Sequence, residues 1–542
     1  MLKVDKRYSV FLLFALLWCG ESFSQQLNYT LNRDFLWGVD DYFNNKEQNF
    51  QTFIKPYRVC DINSIKDSSA RVHGLLDGLK KNKQNDNKNK STVELAPLLI
   101  AETGYQASSP SRLTSDLAIG GSLVCTLGKK ISINFKALAG KATFDSHTDS
   151  VISKTQVIPG MGYAYRANTD SLNPIYAYQY YSGYLSYSPN KIFNVQIGQD
   201  KQFWGDGYRS LFLSDVSAPY PYMKITTNIW HLTYVNLYTI MKDVTNPSGF
   251  KSDWLNKYAT FHYLGWNATK RINIGLFESV VWQGADSSRY RGYDVNYLNP
   301  VMFFRPTEYS LGSSDNALIG LSFKVKLFKK QQIYGQLMLD EFVLKEVMAD
   351  IKHTYKNDST SKSGWWANKQ AFQIGWKSFD LFDIRNLNFQ TEYNYVRPYT
   401  YSHGSVQQNY GHMDQPLAHP LGANFWEIAN FINYRFAKRI FAEMKYVFAV
   451  YGADSAGTDY GNNIFISYTN RPADFGNFTT QGFQTKLTTA SIRLAYLLAP
   501  DIGLKVELGF ADRIVQTKYN TTQTPYLFIG LKTDLSNFYN DY

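Results

Sequence analysis

Beyond about Ala96, apolar and polar residues alternate at every second position through much of the chain. Successive side chains on a β-strand point to opposite faces, so each alternating segment offers one apolar and one polar face. Such a strand needs hydrocarbon or a protein core on one side only, and the rhythm therefore predicts an all-β fold. The clearest segments are 131–137, 193–198, 321–327, 387–395 and 504–510.

The connections between these segments are of two kinds. Tight turns at 188–191 and 329–332 join some of them, whereas the stretches 350–363 and 399–421 are long and polar. Short turns at one end and long loops at the other are typical of an outer-membrane barrel. At about 24 residues per strand and connection, the roughly 440 residues after Ala96 predict a transmembrane antiparallel β-barrel of about 18 strands.

Alternation alone would also fit a soluble β-sandwich or propeller, and composition helps to decide. Aromatic residues make up 16% of the chain, yet hydrophobic residues reach only 44% and the mean hydropathy is −0.34. A barrel with lipid outside and water inside has this balance. No propeller-like repeat is visible, and the tyrosines of 176–187 cluster as in an interfacial girdle. After the N-terminus no apolar run reaches about 18 residues, which excludes transmembrane helices.

The first residues predict export. A charged start at residues 3–7 leads into the apolar stretch Val10–Trp18, a pattern typical of a cleaved signal peptide over residues 1–24. A lipoprotein signal using Cys19 is disfavoured, because such a site has a small residue before the cysteine and here Trp18 precedes it. We therefore expect the mature chain in the cell outer membrane, with outer-membrane lipid as a partner.

The residues after the signal differ from the rest of the chain. We assign 25–95 to an N-terminal periplasmic segment, a short soluble lead-in with a helix at 65–80 and a Lys/Asn-rich linker at 80–90. Residues 96–542 are assigned to the barrel. Only two cysteines remain after cleavage, Cys60 and Cys125, too few for a disulfide framework or a zinc ribbon.

The net charge of the chain indicates which kind of partner it attracts. The formal net charge is +11, and the signal contributes three bases and two acids, or +1, which leaves +10 on the mature chain. A basic protein attracts acidic partners. An exported chain meets anionic lipopolysaccharide or acidic polysaccharide far sooner than nucleic acid, so we expect a surface polysaccharide and no nucleic acid.

Enzyme motifs are missing from the sequence. It contains no nucleophile elbow, no His-Glu-x-x-His, no phosphate-binding loop and no calcium loop. Its 45 acidic residues leave a glycoside-hydrolase carboxylate pair open by spacing, but nothing selects one. We expect a non-enzymatic protein with no cofactor.

One segment interrupts the alternation, at residues 198–224. Its glycines free the backbone, while Trp204, Asp206, Arg209 and Asp215 place an aromatic face beside hydrogen-bonding charges, as sugar-binding sites commonly do. These four are the candidate polysaccharide-binding residues. The alternative is a loop that merely packs the lumen.

The same segment carries a resemblance. The run Phe203–Asp215 followed by Ala218–Pro221, with Ser313–Gly320 and Ile333–Leu337 further on, resembles the signature of the Wzi capsule-assembly family. The resemblance covers the chain from about residue 96 and implies an outer-membrane barrel of about 18 strands that retains capsular polysaccharide at the cell surface. Gln336 stands where that family often has Glu, and the lead-in is shorter than a periplasmic helical bundle.

The Tyr- and Asn-rich composition of the chain resembles that of the Bacteroidetes branch of the family, in which RemB-like proteins are associated with gliding motility. A competing class is a porin or transporter for anionic solutes, in which the same loop would constrict a pore. A surface hydrolase is a third class. The oligomeric state is left open.

Four residues of one long loop are also candidates for a metal site. His403, His412, Asp414 and His419 fall within seventeen residues, and imidazole and carboxylate suit transition ions. Their spacing matches no known site, however. We therefore expect a loop with incidental histidines and no metal.

Overall fold

The structure, a computed structural model of the chain, describes residues 26–45, 49–59, 91–533, 537–539 and 541–542, with gaps between 91 and 533. The predicted signal peptide (1–24), the predicted helix at 65–80 and the linker at 80–90 lie outside the described residues. The gaps are 109, 171–172, 245–253, 286–290, 302–314, 342–344, 347, 350–351, 353–362 and 456.

Eighteen antiparallel strands form a closed barrel, as the alternation predicts. Strands β1 and β18 close the ring, with Tyr105 opposite Leu527. The strands are β1 (Thr92–Gln106), β2 (Arg112–Leu127), β3 (Ile131–Thr143), β4 (Tyr176–Tyr187), β5 (Phe193–Asp200), β6 (Tyr220–Ile229), β7 (Leu232–Asp243), β8 (Leu255–Asn267), β9 (Ile272–Gln283), β10 (Asn316–Leu327), β11 (Gln331–Leu339), β12 (Gln370–Ser378), β13 (Leu387–Val396), β14 (Phe425–Ala437), β15 (Ile440–Ala453), β16 (Phe483–Ala499), β17 (Leu504–Gln516) and β18 (Thr521–Lys532).

The two ends of the barrel differ in their connections. At one end the strands are joined by short turns, from the two residues between β6 and β7 to 379–386 between β12 and β13. At the other end lie long connections, among them 144–175, 397–424 and 454–482. In outer-membrane barrels the short turns face the periplasm and the long loops face outward, which orients the molecule.

The outer wall is apolar and the inner wall is polar. On β17, Leu508 and Phe510 are 49% and 43% exposed, whereas Lys505 and Glu507 point inward and are buried. This arrangement puts hydrocarbon-compatible side chains on the outer face and charged side chains in the lumen. Among the described residues no helix is long and apolar enough to cross a bilayer.

An arginine at Leu508 should destabilise the barrel by about 2–4 kcal/mol, because it places a charge on the lipid-facing wall within the hydrocarbon. Equilibrium unfolding in lipid vesicles measures this cost. The matched control is Tyr519→Arg, which adds the same charge in the exposed 517–520 turn; we expect about 0–1 kcal/mol there. Equal effects at both sites would contradict a lipid-facing position for Leu508.

The lumen is filled from the periplasmic end by the N-terminal residues. Helix α1 (Arg33–Asn45) lies inside the barrel, and ion pairs hold it to two separate parts of the barrel wall, β16–β17 and β12. Its Asp34 contacts Arg493 at 2.5 Å and Lys505 at 2.6 Å, and its Asp40 contacts Lys377 at 2.7 Å. Helix α1 of the lead-in segment therefore packs inside the lumen, while residues 92–95 of the same segment already belong to strand β1.

A second short helix, α2 (Ser146–Thr155), lies in the long connection between β3 and β4. Asp145 caps its N-terminus by accepting hydrogen bonds from the backbone N–H groups of His147 and Thr148 at 3.0 and 3.1 Å. These bonds satisfy backbone donors that the first turn of a helix leaves without partners.

Candidate functional site

Residues 201–219, here called the lumen loop, connect β5 to β6 and fold back into the barrel. Their short strand Phe203–Trp204 pairs with Ile54–Lys55 of the N-terminal segment. The backbone N–H of Trp204 also donates a 2.8 Å hydrogen bond to the Leu213 carbonyl, and this bond fixes the bend of the loop. All four predicted sugar-binding residues lie here, and all are buried.

Trp204 is fully enclosed by aromatic side chains. Its ring lies about edge-on to Phe261 and Phe277, with centroids at 6.1 and 6.0 Å, and 6.1 Å from Tyr263. Edge-to-face contacts at these distances stabilise buried aromatic cores. The Trp204 ring therefore anchors the lumen loop to the inner wall of β8 and β9.

The two aspartates bind the other segments in the lumen. Asp206 accepts a 2.5 Å hydrogen bond from the Thr52 hydroxyl. Asp215 accepts hydrogen bonds from the Tyr539 hydroxyl at 2.6 Å and from the Asn537 amide at 3.0 Å. The aspartates thus join the lumen loop to both the N-terminal segment and the C-terminal tail, whose described residues are 537–539 and 541–542.

Arg209 lies at the centre of a buried charge network. Its guanidinium contacts Glu427 of β14 and Asp541 of the C-terminal tail, each at 3.1 Å. Burial opposes ionisation of Asp541, but the charges of Arg209 and Lys445 hold the pKa of its carboxyl well below the usual range. Because buried charges are tolerated only when paired, this network fixes the loop against the wall.

Gly207 lets the loop backbone approach a second carboxylate. The N–H groups of Tyr208 and Arg209 donate to Glu392 of β13 over 2.8 and 3.1 Å. A Cβ at position 207 would lie 2.2 Å from the same carboxylate. Glycine is therefore required here for close approach.

Gln336, where the Wzi family often has Glu, holds the lumen loop from β11. Its amide oxygen accepts from the Leu211 N–H at 2.7 Å, and its amide nitrogen donates to the Trp204 carbonyl at 3.1 Å. Only a side chain with both a donor and an acceptor makes this pair of bonds.

Gln336→Glu should destabilise the loop by about 1–3 kcal/mol, because a carboxylate oxygen would then face the Trp204 carbonyl without a proton between them. Limited proteolysis within 201–219 reports loosening of the loop. The conservative control is Gln331→Glu, near the periplasmic end of the same strand, which we expect to leave cleavage unchanged. A resistant Gln336→Glu loop would contradict the role of the amide.

The three histidines of the second predicted segment do not converge. His419 bonds to Glu427 at 2.8 Å, the ring of His412 lies 5.7 Å from that of Tyr220, and the ring of His403 lies 5.7 Å from that of Tyr468. Burial lowers the pKa of His403 to about 4, that of His412 to about 3 and that of His419 as well. Among the described residues no group of three or more His, Cys, Asp or Glu is placed to hold a metal ion.

Residues 397–424, here called the cap loop, cover the lumen loop on the outer side. The Tyr401 hydroxyl donates to the Leu211 carbonyl at 2.8 Å, and the Tyr410 hydroxyl donates to the Phe212 carbonyl at 2.5 Å. Ser214 adds a 3.0 Å bond to the Leu417 carbonyl. The predicted site is therefore covered by protein from above, and its four side chains contact protein groups. Their direct contact with a polysaccharide stays a prediction.

An aromatic and cationic surface lies further out, where two long connections meet. We call it the mouth cluster. Gly476 and Asn477 donate backbone hydrogen bonds to the carbonyls of Ser363 and Gly364 at 2.8 and 3.0 Å, which joins the loops. The cluster consists of Trp365, Trp366, Tyr468, Arg471 and Phe475.

The mouth-cluster rings pack against one another at tilted angles and are partly exposed. The Trp365 ring lies 4.9 Å from that of Phe475, and the Trp366 ring lies 4.6 Å from that of Tyr468. The Arg471 guanidinium sits 4.0 Å from the Trp366 ring centroid and pairs with Asp474, whose side chain is 54% exposed. Aromatic faces beside hydrogen-bonding charges suit the apolar faces and hydroxyls of sugars.

The mouth cluster is not among the residues predicted from the sequence. The visible signal was the pair Trp365–Trp366 directly after Gly364 in a long loop, since two adjacent tryptophans in an exposed connection have no core to fill. The other residues of the mouth cluster lie on 467–475, about a hundred residues further along the chain, and no sequence pattern there distinguishes them.

These features define an outer-membrane β-barrel with a filled lumen and an aromatic surface at its outer mouth. No protein-family model and no curated protein sequence matches the chain. The solved structure of Wzi from Escherichia coli is similar to it, with a TM-score of 0.56 and 12% identity over 94% of this chain and 100% of that one. Wzi is described as a carbohydrate-binding β-barrel involved in group 1 capsule assembly, and the fold of this chain is Wzi-like.

Other outer-membrane barrels match less well. OprD from Pseudomonas aeruginosa has a TM-score of 0.40 and 8% identity, covering 81% of this chain and 94% of that one. OccAB4 from Acinetobacter baumannii has a TM-score of 0.43 and 10% identity, covering 83% of this chain and 99% of that one.

Proposed function

We propose that this barrel binds capsular or other surface polysaccharide and retains it at the cell surface, and that the glycan docks on the mouth cluster. The observation that carries the proposal is the group of partly exposed aromatic rings at the outer end, with Arg471 over the Trp366 ring and Asp474 paired to Arg471. The resemblance of the lumen loop to the Wzi signature supports the same function.

The four lumen-loop residues have a positioning role in this proposal. Trp204, Asp206, Arg209 and Asp215 hold the lumen loop, which supports the cap loop through Tyr401 and the bonds described above. The cap loop in turn lies under the mouth cluster, because Tyr399 packs 6.4 Å from Trp366. Direct glycan contact by the four residues would require the lumen loop to leave the barrel.

If the chain belongs to the Bacteroidetes branch, glycan held at the surface would contribute to gliding. The protein acts as a binder in this account, without bond cleavage.

Deletion of the gene tests the proposal. We expect less cell-bound polysaccharide by capsule staining and reduced spreading on agar, both restored by the native chain. Normal capsule together with normal spreading would overturn both parts. Reduced capsule with normal spreading would overturn only the gliding part.

A further inference from the structure

A cavity of about 340 Å³ runs beside the lumen loop, and the proposed function makes no use of it. We call it the side chamber. The inner faces of β1–β3 and β15–β18 form one wall, and the segments that fill the lumen form the other. Asn32–Asp34 lie at its periplasmic end and Asp145–Thr148 at its outer end.

The side chamber extends along more than half of the apolar band. On β17 its lining runs from Lys505 to Ala511, and on β18 from Tyr526 to Lys532. Six residues of strand span about 20 Å at about 3.3 Å per residue. Strands of outer-membrane barrels are tilted by about 35–45° and the apolar band is about 25 Å tall, so this length rises about 15 Å, a little over half of the band.

The walls of the side chamber carry both signs of charge in nearly equal number. Six carboxylates and five Lys or Arg side chains line it. Arg493 pairs across neighbouring strands with Glu507 at 2.8 Å and Glu443 at 3.6 Å, and Lys505 pairs with Glu507 on its own strand at 2.8 Å. Polar cavities of this size hold water, whereas apolar ones stay dry.

The periplasmic end of the side chamber is closed by the first turn of α1. Asp34 bridges Arg493 and Lys505, which both line the chamber. Asp40, on the same helix, instead pairs with Lys377 of β12, on the wall away from the chamber. One helix is thus held by two carboxylates, of which only Asp34 lies at the chamber.

We propose that the side chamber is a water-filled passage for inorganic ions and small polar solutes of either charge, closed at the periplasmic end by the Asp34 ion pairs. Acidic and basic side chains line the chamber in nearly equal number, so we expect no selectivity for anions. The positive net charge of the whole chain therefore does not determine which ions pass. Permeation through this route is separate from glycan binding at the mouth cluster.

Planar-bilayer recordings in potassium chloride test the passage. The native chain should pass a small steady current with similar permeability to both ions. Asp34→Asn should raise the conductance at least threefold, and adding Ala511→Trp should return it to the native level or below, because the indole fills the chamber. Asp40→Asn is the matched control and should equal the native chain. The heat-dependent gel mobility of folded barrels confirms that each variant is folded.

Cysteine labelling gives a second readout that needs no current. In a chain with Cys60 and Cys125 replaced by serine, Ser491→Cys places a thiol on the chamber wall and Ser279→Cys places one in the packed half of the lumen. Small cationic and anionic thiol reagents should both label position 491 and leave 279 unlabelled.

Two results would contradict the proposal that the side chamber is a passage. One is a current at the level of protein-free bilayers from the native and Asp34→Asn chains, with position 491 unlabelled. The other is an equal rise for Asp34→Asn and Asp40→Asn, which would mean release of the whole helix. Since none of these variants touches the mouth cluster, unchanged glycan binding separates this failure from failure of the proposed function.

Discussion

Replacing Arg209 with methionine should lower the free energy of unfolding by about 3–5 kcal/mol, the cost of leaving a buried charge without its partner. Arg209 is the cation shared by Glu427 and Asp541, whose side chains are 0% and 3% exposed. Methionine fills a similar volume but leaves the two carboxylates facing one another. Denaturant unfolding of the barrel in vesicles, followed by tryptophan fluorescence, measures the loss.

The control for Arg209 is a partly exposed ion pair. Arg112 contacts Asp149 at 2.9 Å with both side chains partly exposed, so Arg112→Met should cost no more than about 1 kcal/mol. Adding Glu427→Gln to Arg209→Met should recover part of the stability, because it removes the carboxylate that lost its cation, whereas Asp541 keeps Lys445 at 2.9 Å. A cost for Arg209→Met as small as that of the control would contradict the buried network.

Replacing Trp365 and Trp366 with alanine should weaken polysaccharide binding by about fivefold to 150-fold. Aromatic contacts contribute about 0.5–1.5 kcal/mol each beyond buried area, so losing two should cost about 1–3 kcal/mol of binding free energy. Binding of purified capsular polysaccharide to the detergent-solubilised barrel, by titration calorimetry, measures the change.

The matched control for the mouth cluster is Trp230, which is 83% exposed in the turn at the opposite end of the barrel. Trp230→Ala removes an equally large exposed ring and should leave the affinity unchanged. If the double variant at 365 and 366 bound as tightly as the native chain, the mouth cluster would not be the docking surface.

The barrel was predictable because its signal is local. The alternation at 504–510 is a property of seven consecutive residues, and the same pattern in the structure sends Lys505 and Glu507 inward and Leu508 outward. A period of two is dictated by strand geometry alone. The strand number followed from chain length and the average repeat.

The role of the lumen loop was not predictable in the same way. Glycines, Trp204 and Arg209 mark the segment as unusual whether it faces sugar or protein. Whether the loop binds sugar or packs against protein depends on which residues its side chains contact, and those residues are distant in sequence. Arg209 binds Glu427, 218 residues away, and Tyr208 bonds to Asp541, 333 residues away. No local pattern predicts such pairings.

Hydrogen exchange of the barrel with and without saturating polysaccharide tests most directly whether the glycan docks at the outer mouth above the filled lumen. We predict slower exchange in 363–369 and 467–477 on binding, with residues 201–219 unchanged. Protection confined to 201–219, or no change in either region while the glycan is bound, would contradict the account.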